Sequence, residues 1–148
     1  MVFSDRLEAG KLLAQRLAKY KNSEQAVVLG LPRGGVEVAY AIAKELNIGL
    51  GILVSKKIPF PNNPELAIGA VSINGAVSLD EAFVERYNVA KEHVNKEITR
   101  LSREIKQKYA AYGVSEPRVS GKIVIVTDDG IATGHTMLAA VRALKAKT

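Results

Sequence analysis

The run from Ile123 to Thr136, IVIVTDDGIATGHT, constrains the fold of this chain more than any other stretch. Ile123 to Val126 are four successive β-branched apolar residues, which read as a strand buried on both faces inside a helix-covered sheet. In an open parallel sheet, ligands bind beyond the carboxyl ends of the strands, and Asp128 and Asp129 fall at such an end. Two adjacent carboxylates repel each other and demand solvation, so a purely architectural role for them is unattractive. The loop Gly130 to Thr136 then opens a helix, whose first N–H groups are unpaired and partly positive. Its glycines let backbone close on an anion, and the hydroxyls of Thr133 and Thr136 can donate to phosphate oxygens. A phosphorylated sugar satisfies both halves, with hydroxyls on the carboxylates and phosphate on the loop.

The remaining pattern is also α/β. Ser4 is placed to cap a helix running to about Tyr20, with Leu7, Gly10, Leu13, Ala14 and Leu17 on its apolar face. Ala26 to Gly30 reads as a buried strand, Leu31 to Gly35 as a breaker-rich turn, and about Val36 to Leu46 as a helix. Gly51 to Ser55 reads as a second buried strand, and the strand–helix–strand order predicts a right-handed parallel crossover. Ile58 to Pro64 holds three prolines and two asparagines and reads as loop. Ala67 to Ile73 and Ala76 to Leu79 flank Asn74-Gly75, a strong hairpin signal. From about Ala90 to Tyr112, Val94, Ile98, Leu101, Ile105 and Tyr109 recur at helical spacing. The outer face of that helix is charged, with Glu92–Lys96 and Glu104–Lys108 spaced to pair. His93 lies among these charges, and Tyr109 and Tyr112 read as packing residues.

At 148 residues the chain suits one domain with a sizeable core. It has no cysteine, which removes disulfides, thiolate metal sites and cysteine nucleophiles and suits a reducing compartment. No charged leader precedes an apolar run, and no stretch approaches the ~20 apolar residues of a membrane span, so the expected location is cytoplasmic. The net charge of +6 favours anionic partners in general. Aromatics make up only 5% of residues, too few for the stacking surface of a single-stranded nucleic-acid binder. The longest basic run is Lys56-Lys57, which reads either as an anion contact or as a solvated pair.

Other phosphate-binding patterns fail. The P-loop signature G-x-x-x-x-G-K-[ST] is absent, and no G-x-G-x-x-G follows a strand. Receiver domains need an acidic pair near the first strand, and none is present.

The run VIVTDDGIATGHT resembles the 5-phosphoribosyl-1-pyrophosphate (PRPP) motif of type I phosphoribosyltransferases: apolar strand, acidic pair, small loop, Thr-Gly. LGLPRGGVEVA at 29–39, KKIPFPNNPELAIGAV at 56–71 and DDGIATGHTMLAAVRAL at 128–144 together resemble a bacterial and archaeal subgroup of that family. The resemblance covers most of the chain and is weakest in the long helix. It implies a single phosphoribosyltransferase-like domain over 1–148, a three-layer α/β/α fold with a mostly parallel sheet, a β-hairpin and an inserted long helix. It implies that Asp128 and Asp129 are the catalytic acids holding the ribose hydroxyls, one of them accepting a proton. Gly130, Ile131, Ala132, Thr133, Gly134, His135 and Thr136 would cradle the 5′-phosphate, with His135 contributing backbone rather than acting as a base. Arg33, Gly34, Gly35, Lys56 and Lys57 would meet the pyrophosphate. Lys56 stands where the family pattern has arginine, and lysine supplies a point charge in place of a bidentate fork.

The implied cofactor is Mg²⁺, carried mainly by PRPP, and the implied reaction transfers ribose 5-phosphate to a nitrogen acceptor with release of pyrophosphate. A PRPP- or nucleotide-sensing module without turnover is the alternative, and nucleic-acid binding through basic charge is the weakest reading. No motif names the acceptor. The family fold has two further strands beyond the position of Thr148, so the strand at 123–127 is expected to be an edge, with either self-association through it or its flanking helices, or a chain cut down from a longer protein.

Overall fold

Asp5, not Ser4, caps the first helix. The computed structural model describes residues 2–131 and 134–145. Helix α1 spans Arg6–Arg16, and the Asp5 carboxylate accepts from the Glu8 N–H at 2.7 Å, while Ser4 donates back to the Glu8 side chain. This reciprocal arrangement satisfies orphan groups on both sides of the helix start. The helix ends at Arg16, followed by a 3₁₀ turn at Ala18–Tyr20, short of the single helix that periodicity suggests. In chain order there follow β1 (Ala26–Gly30), α2 (Gly34–Leu46), β2 (Gly49–Ile52), β3 (Lys56–Phe60) and β4 (Asn63–Val71). Then come β5 (Val77–Leu79), α3 (Glu81–Arg86), α4 (Lys91–Tyr112), β6 (Ile123–Thr127) and α5 (His135–Lys145).

These elements form two compact units. The first comprises the described residues within Met1–Leu53 and Pro117–Ala132. Its parallel sheet has the order β2-β1-β6, with Gly30 opposite Ile52 on one side and Thr127 on the other. All five residues of β1 are buried, as befits a central strand. β6 has a described neighbour on one side only, so Ile123 is 43% exposed and Val124 to Val126 are half-buried, not buried on both faces as their composition suggests. β2 starts two residues earlier than expected and is likewise an edge; buried Leu53 follows its last pair.

Helix α2 lies on this sheet, and its Val38, Ala39, Ile42, Ala43 and Leu46 pack with Val28 and Ala14 into a core. Helix α1 packs on α2 through small residues: a methyl on Gly10 would lie 2.5 Å from Ala41 Cβ and 2.7 Å from the Val38 carbonyl oxygen. That close approach buries Gly10 and Ala14 and leaves Leu7 and Leu13 each 42% exposed, so they are not core positions.

The second unit comprises the described residues within Val54–Glu116 and Thr133–Lys147. Its antiparallel sheet has the order β3-β4-β5. Residues 58–64 are therefore not loop: β3 and β4 form a hairpin turning at Pro61 and Asn62, and Asn62 adopts φ 62°. Proline is tolerated because β3 is an edge with register shifts at Pro59, and because β5 pairs only with Gly69 to Val71, away from Pro64. The Asn74-Gly75 turn forms as its composition predicts, with Asn74 at φ 54° and Gly75 at φ 69°. Helix α4 turns Val94, Leu101, Ile105 and Tyr109 inward and packs on β3, while α5 packs on β4 and β5. Among the described residues no helix is long and apolar enough to cross a membrane.

Candidate functional site

β1 and β6 are parallel and in register, so the turn after one and the loop after the other leave the sheet side by side. The Leu31 N–H donates to the Thr127 carbonyl at 3.0 Å, tying the two exits together. From there the chain passes through Pro32 and Arg33, joined by a cis peptide, into the first turn of α2. Arg33 is exposed, occupies the N-cap position without a side-chain cap bond, and among the described residues makes no ion pair. The N–H groups that open α2 thus carry their partial positive charge beside the acidic pair.

Two glycines set how close that approach is. A methyl on Gly35 would stand 2.8 Å from Asp128 Cα and 2.9 Å from the Thr127 carbonyl oxygen. A methyl on Gly34 would overlap Asp129 Oδ2 and stand 2.8 Å from Arg6 Nε. A side chain at Gly35 would push the helix N-terminus off the backbone of the acidic loop, whereas one at Gly34 would displace the Asp129 and Arg6 side chains.

The two carboxylates are not equivalent. Asp128 is half-buried, and its burial raises its pKa above the ordinary aspartate value, although Asp128 Oδ1 accepts from the Asp129 N–H at 2.9 Å. Asp129 is held below the ordinary value, chiefly by hydrogen bonds from the Arg6 guanidinium. Arg6 donates to Asp129 Oδ2 from Nε at 3.0 Å and from Nη2 at 2.8 Å, and its Nη1 reaches Glu37 Oε1 at 3.5 Å. The solvation that two neighbouring carboxylates demand is supplied in part by this cation. No sequence pattern identifies Arg6, since its partner lies 123 positions away.

The loop expected to hold a 5′-phosphate divides between the units. Gly130 and Ile131 are exposed in the first, and a methyl on Gly130 would meet nothing within 4 Å. Ala132 and Thr133 lie outside the described residues, as does the side chain of His135. In the second unit Gly134 has φ 79°, its carbonyl accepts from the Leu138 N–H at 2.8 Å to start α5, and Thr136 is exposed.

Lys56 and Lys57 are the first two residues of β3. The Lys56 ammonium donates to Glu104 Oε2 at 2.7 Å, while Glu104 Oε1 accepts from Arg100 at 2.6 Å. Glu104 therefore pairs with Lys56 and Arg100 rather than with Lys108 as helical spacing predicts. Lys57 is exposed and, among the described residues, makes no ion pair. Tyr109, read from the sequence as packing, also accepts the Val54 N–H at 3.1 Å, and burial raises its phenol pKa.

Among the described residues no group of three or more His, Cys, Asp or Glu could hold a metal. The acidic pair offers two carboxylates, one of them on Arg6. Such a donor set fits a divalent cation that brings most of its ligands with it, as a metal–diphosphate complex does.

Residues 5–148 match the family model for the phosphoribosyl transferase domain. The Mycobacterium tuberculosis (strain H37Rv) protein named "Putative phosphoribosyl transferase Rv0571c" is 37% identical over 147 residues, covering 98% of this chain and 33% of that protein. "Putative phosphoribosyl transferase MT0597", from strain CDC 1551 of the same organism, matches with the same identity and coverage. The chain thus spans about a third of the length of these curated relatives. Among solved structures, TT1426 from Thermus thermophilus aligns with a TM-score of 0.82 and 37% identity, covering 99% of this chain and 70% of that one.

Proposed function

The chain belongs to the phosphoribosyl transferase domain family, and from that premise we propose that it binds PRPP and transfers ribose 5-phosphate to a nitrogen acceptor with release of pyrophosphate. The observation that carries this reading is the packing of Asp128 and Asp129 against Gly34 and Gly35, which puts two carboxylates beside the N–H groups of a helix start. Carboxylates accept from ribose hydroxyls, and the N–H groups of Gly34 and Gly35, with Arg33, offer donors to the diphosphate. The 5′-phosphate is assigned to residues 130–136, and Lys56 and Lys57 to the pyrophosphate. Mg²⁺, bound with the diphosphate, supplies neutralisation of the leaving group's charge.

In the reaction the C1–O bond to pyrophosphate breaks as the C1–N bond forms, through a transition state of oxocarbenium character. The protein's own residues hold the sugar, orient the diphosphate and exclude water, which are positioning and electrostatic effects. The proton lost from the acceptor nitrogen passes to the acidic pair. The exposed Ile123 on β6 supports self-association, and sedimentation equilibrium tests it.

Calorimetric titration with PRPP and Mg²⁺, followed by pyrophosphate release with a panel of purine and pyrimidine bases, tests the reading. Binding with release supports a transferase. Binding without release from any base makes the chain a PRPP sensor, and equal affinity for ribose and ribose 5-phosphate overturns the site.

A further inference from the structure

Arg6 touches the acidic pair yet belongs neither to the acidic loop nor to the glycine turn. It comes from the first turn of α1, is anchored by the packing of Gly10 and Ala14 on α2, and reaches across to the far end of β6. We propose that Arg6 is a positioning residue, whose two bonds to Oδ2 lock the Asp129 carboxylate so that its other oxygen meets a ribose hydroxyl. The proposal rests on the reading of the acidic pair as the ribose site.

Three observations favour positioning over a merely structural ion pair. First, the pair is exposed, with side-chain exposures of 49% for Arg6 and 35% for Asp129. Ion pairs of that kind contribute little to folding stability, so fold maintenance is a weak reason for the contact. Second, the geometry is specific: Nε and Nη2 both donate to Oδ2, so the guanidinium pins one oxygen of Asp129 and leaves Oδ1 off the fork. Third, the neighbourhood gives Asp129 a reason to need holding. Asp128 stands beside it on the same loop, and Glu37 on α2 faces the other side of the guanidinium. Without Arg6, the Asp129 carboxylate would stand beside Asp128 with no cation on it among the described residues. Gly34 completes the arrangement, because any side chain there would occupy the space taken by Asp129 Oδ2.

The experiment uses the full chain and three variants, Arg6→Gln, Arg6→Lys and Asp129→Asn, with ribose 5-phosphate and inorganic pyrophosphate as separate calorimetric probes. Arg6→Gln is expected to weaken ribose 5-phosphate about tenfold, the effect of losing one charge-assisted hydrogen bond. Arg6→Lys should recover part of that loss, and pyrophosphate affinity should not move. In the Asp129→Asn background, Arg6→Gln should add nothing, because the residue acts through Asp129. An equal loss in both backgrounds, or an equal loss for pyrophosphate, overturns the proposal and makes Arg6 a direct anion contact. If the parent chain binds neither probe, the ribose reading falls by itself. The hold of Arg6 on Asp129 is then read from ¹³C carboxyl titration: a rise of the Asp129 midpoint in Arg6→Gln supports it, and an unchanged midpoint overturns it.

Discussion

Arg6 binds Asp129 through Nε and Nη2 on a single oxygen, at 3.0 and 2.8 Å, while Asp128 next to it accepts the Asp129 N–H at 2.9 Å. Adjacent residues of one type are therefore shifted in opposite directions from the ordinary aspartate value. Asp129 is lowered by a cation, and Asp128 is raised by burial. A pair divided in this way suits a site that needs one fixed anion and one group able to exchange a proton.

The pH dependence of stability should carry both signs. For Asp129 the unfolded chain takes up a proton first as pH falls. Its contribution is therefore complete above the ordinary aspartate pKa and is lost as pH drops through the lowered one. For Asp128 the folded chain holds its proton to higher pH, so stability declines as pH rises through the raised value. Melting temperatures from acid to neutral pH should show Asp129→Asn flattening the acid-side loss. Asp128→Asn should be more stable than the parent at neutral pH, and its advantage should shrink on acidification. Parallel curves for both variants would contradict the division.

Arg33→Ala should weaken PRPP by about tenfold or more, the effect of losing one charge-assisted bond to the diphosphate. Ribose 5-phosphate carries no diphosphate, so its affinity should hardly change. Calorimetry with both ligands decides the matter, and a matched loss would assign Arg33 to the fold of the turn.

Gly35→Ala separates helix propensity from site geometry. Alanine favours a helix over glycine by about 1 kcal/mol, yet the added methyl would meet Asp128 Cα at 2.8 Å and the Thr127 carbonyl at 2.9 Å. These are backbone atoms, so the N-terminus of α2 must move. Ribose 5-phosphate affinity should fall on the order of tenfold, the loss expected when a charge-assisted bond is displaced. Far-UV circular dichroism should be unchanged, and undiminished binding would separate Gly35 from the site.

Tyr109→Phe tests the second unit. Val54 and Tyr109 are both buried, and the phenolic oxygen accepts the Val54 N–H at 3.1 Å. Removing the hydroxyl leaves that N–H without this acceptor, which costs about 1–3 kcal/mol. Urea unfolding measures the change, and a loss under about 0.5 kcal/mol would place it among ordinary surface substitutions.

The elements legible in the amino-acid sequence are those whose signals are local. The stripe of Val94, Leu101, Ile105 and Tyr109 announces α4, the β-branched run announces β6, and Asn74-Gly75 announces its turn. The glycines at 34 and 35 and the acids at 128 and 129 were readable for the same reason, since each motif is contiguous. Tertiary structure decided everything that depends on who stands beside whom. Prolines at 59, 61 and 64 suggest a loop until β3 proves to be an edge and Pro64 to lie beyond the reach of β5. Leu7 and Leu13 look like core until Gly10 brings α1 close enough to α2 to leave them outside. Glu104 has an i+4 lysine on its own helix yet pairs with Lys56, 48 positions away. Arg6 meets Asp129 across 123 positions, because parallel pairing of β1 with β6 and packing of α1 on α2 carry both to one end of the sheet. Local sequence sets which chemistry each element bears, whereas long-range pairing alone sets which charges face each other.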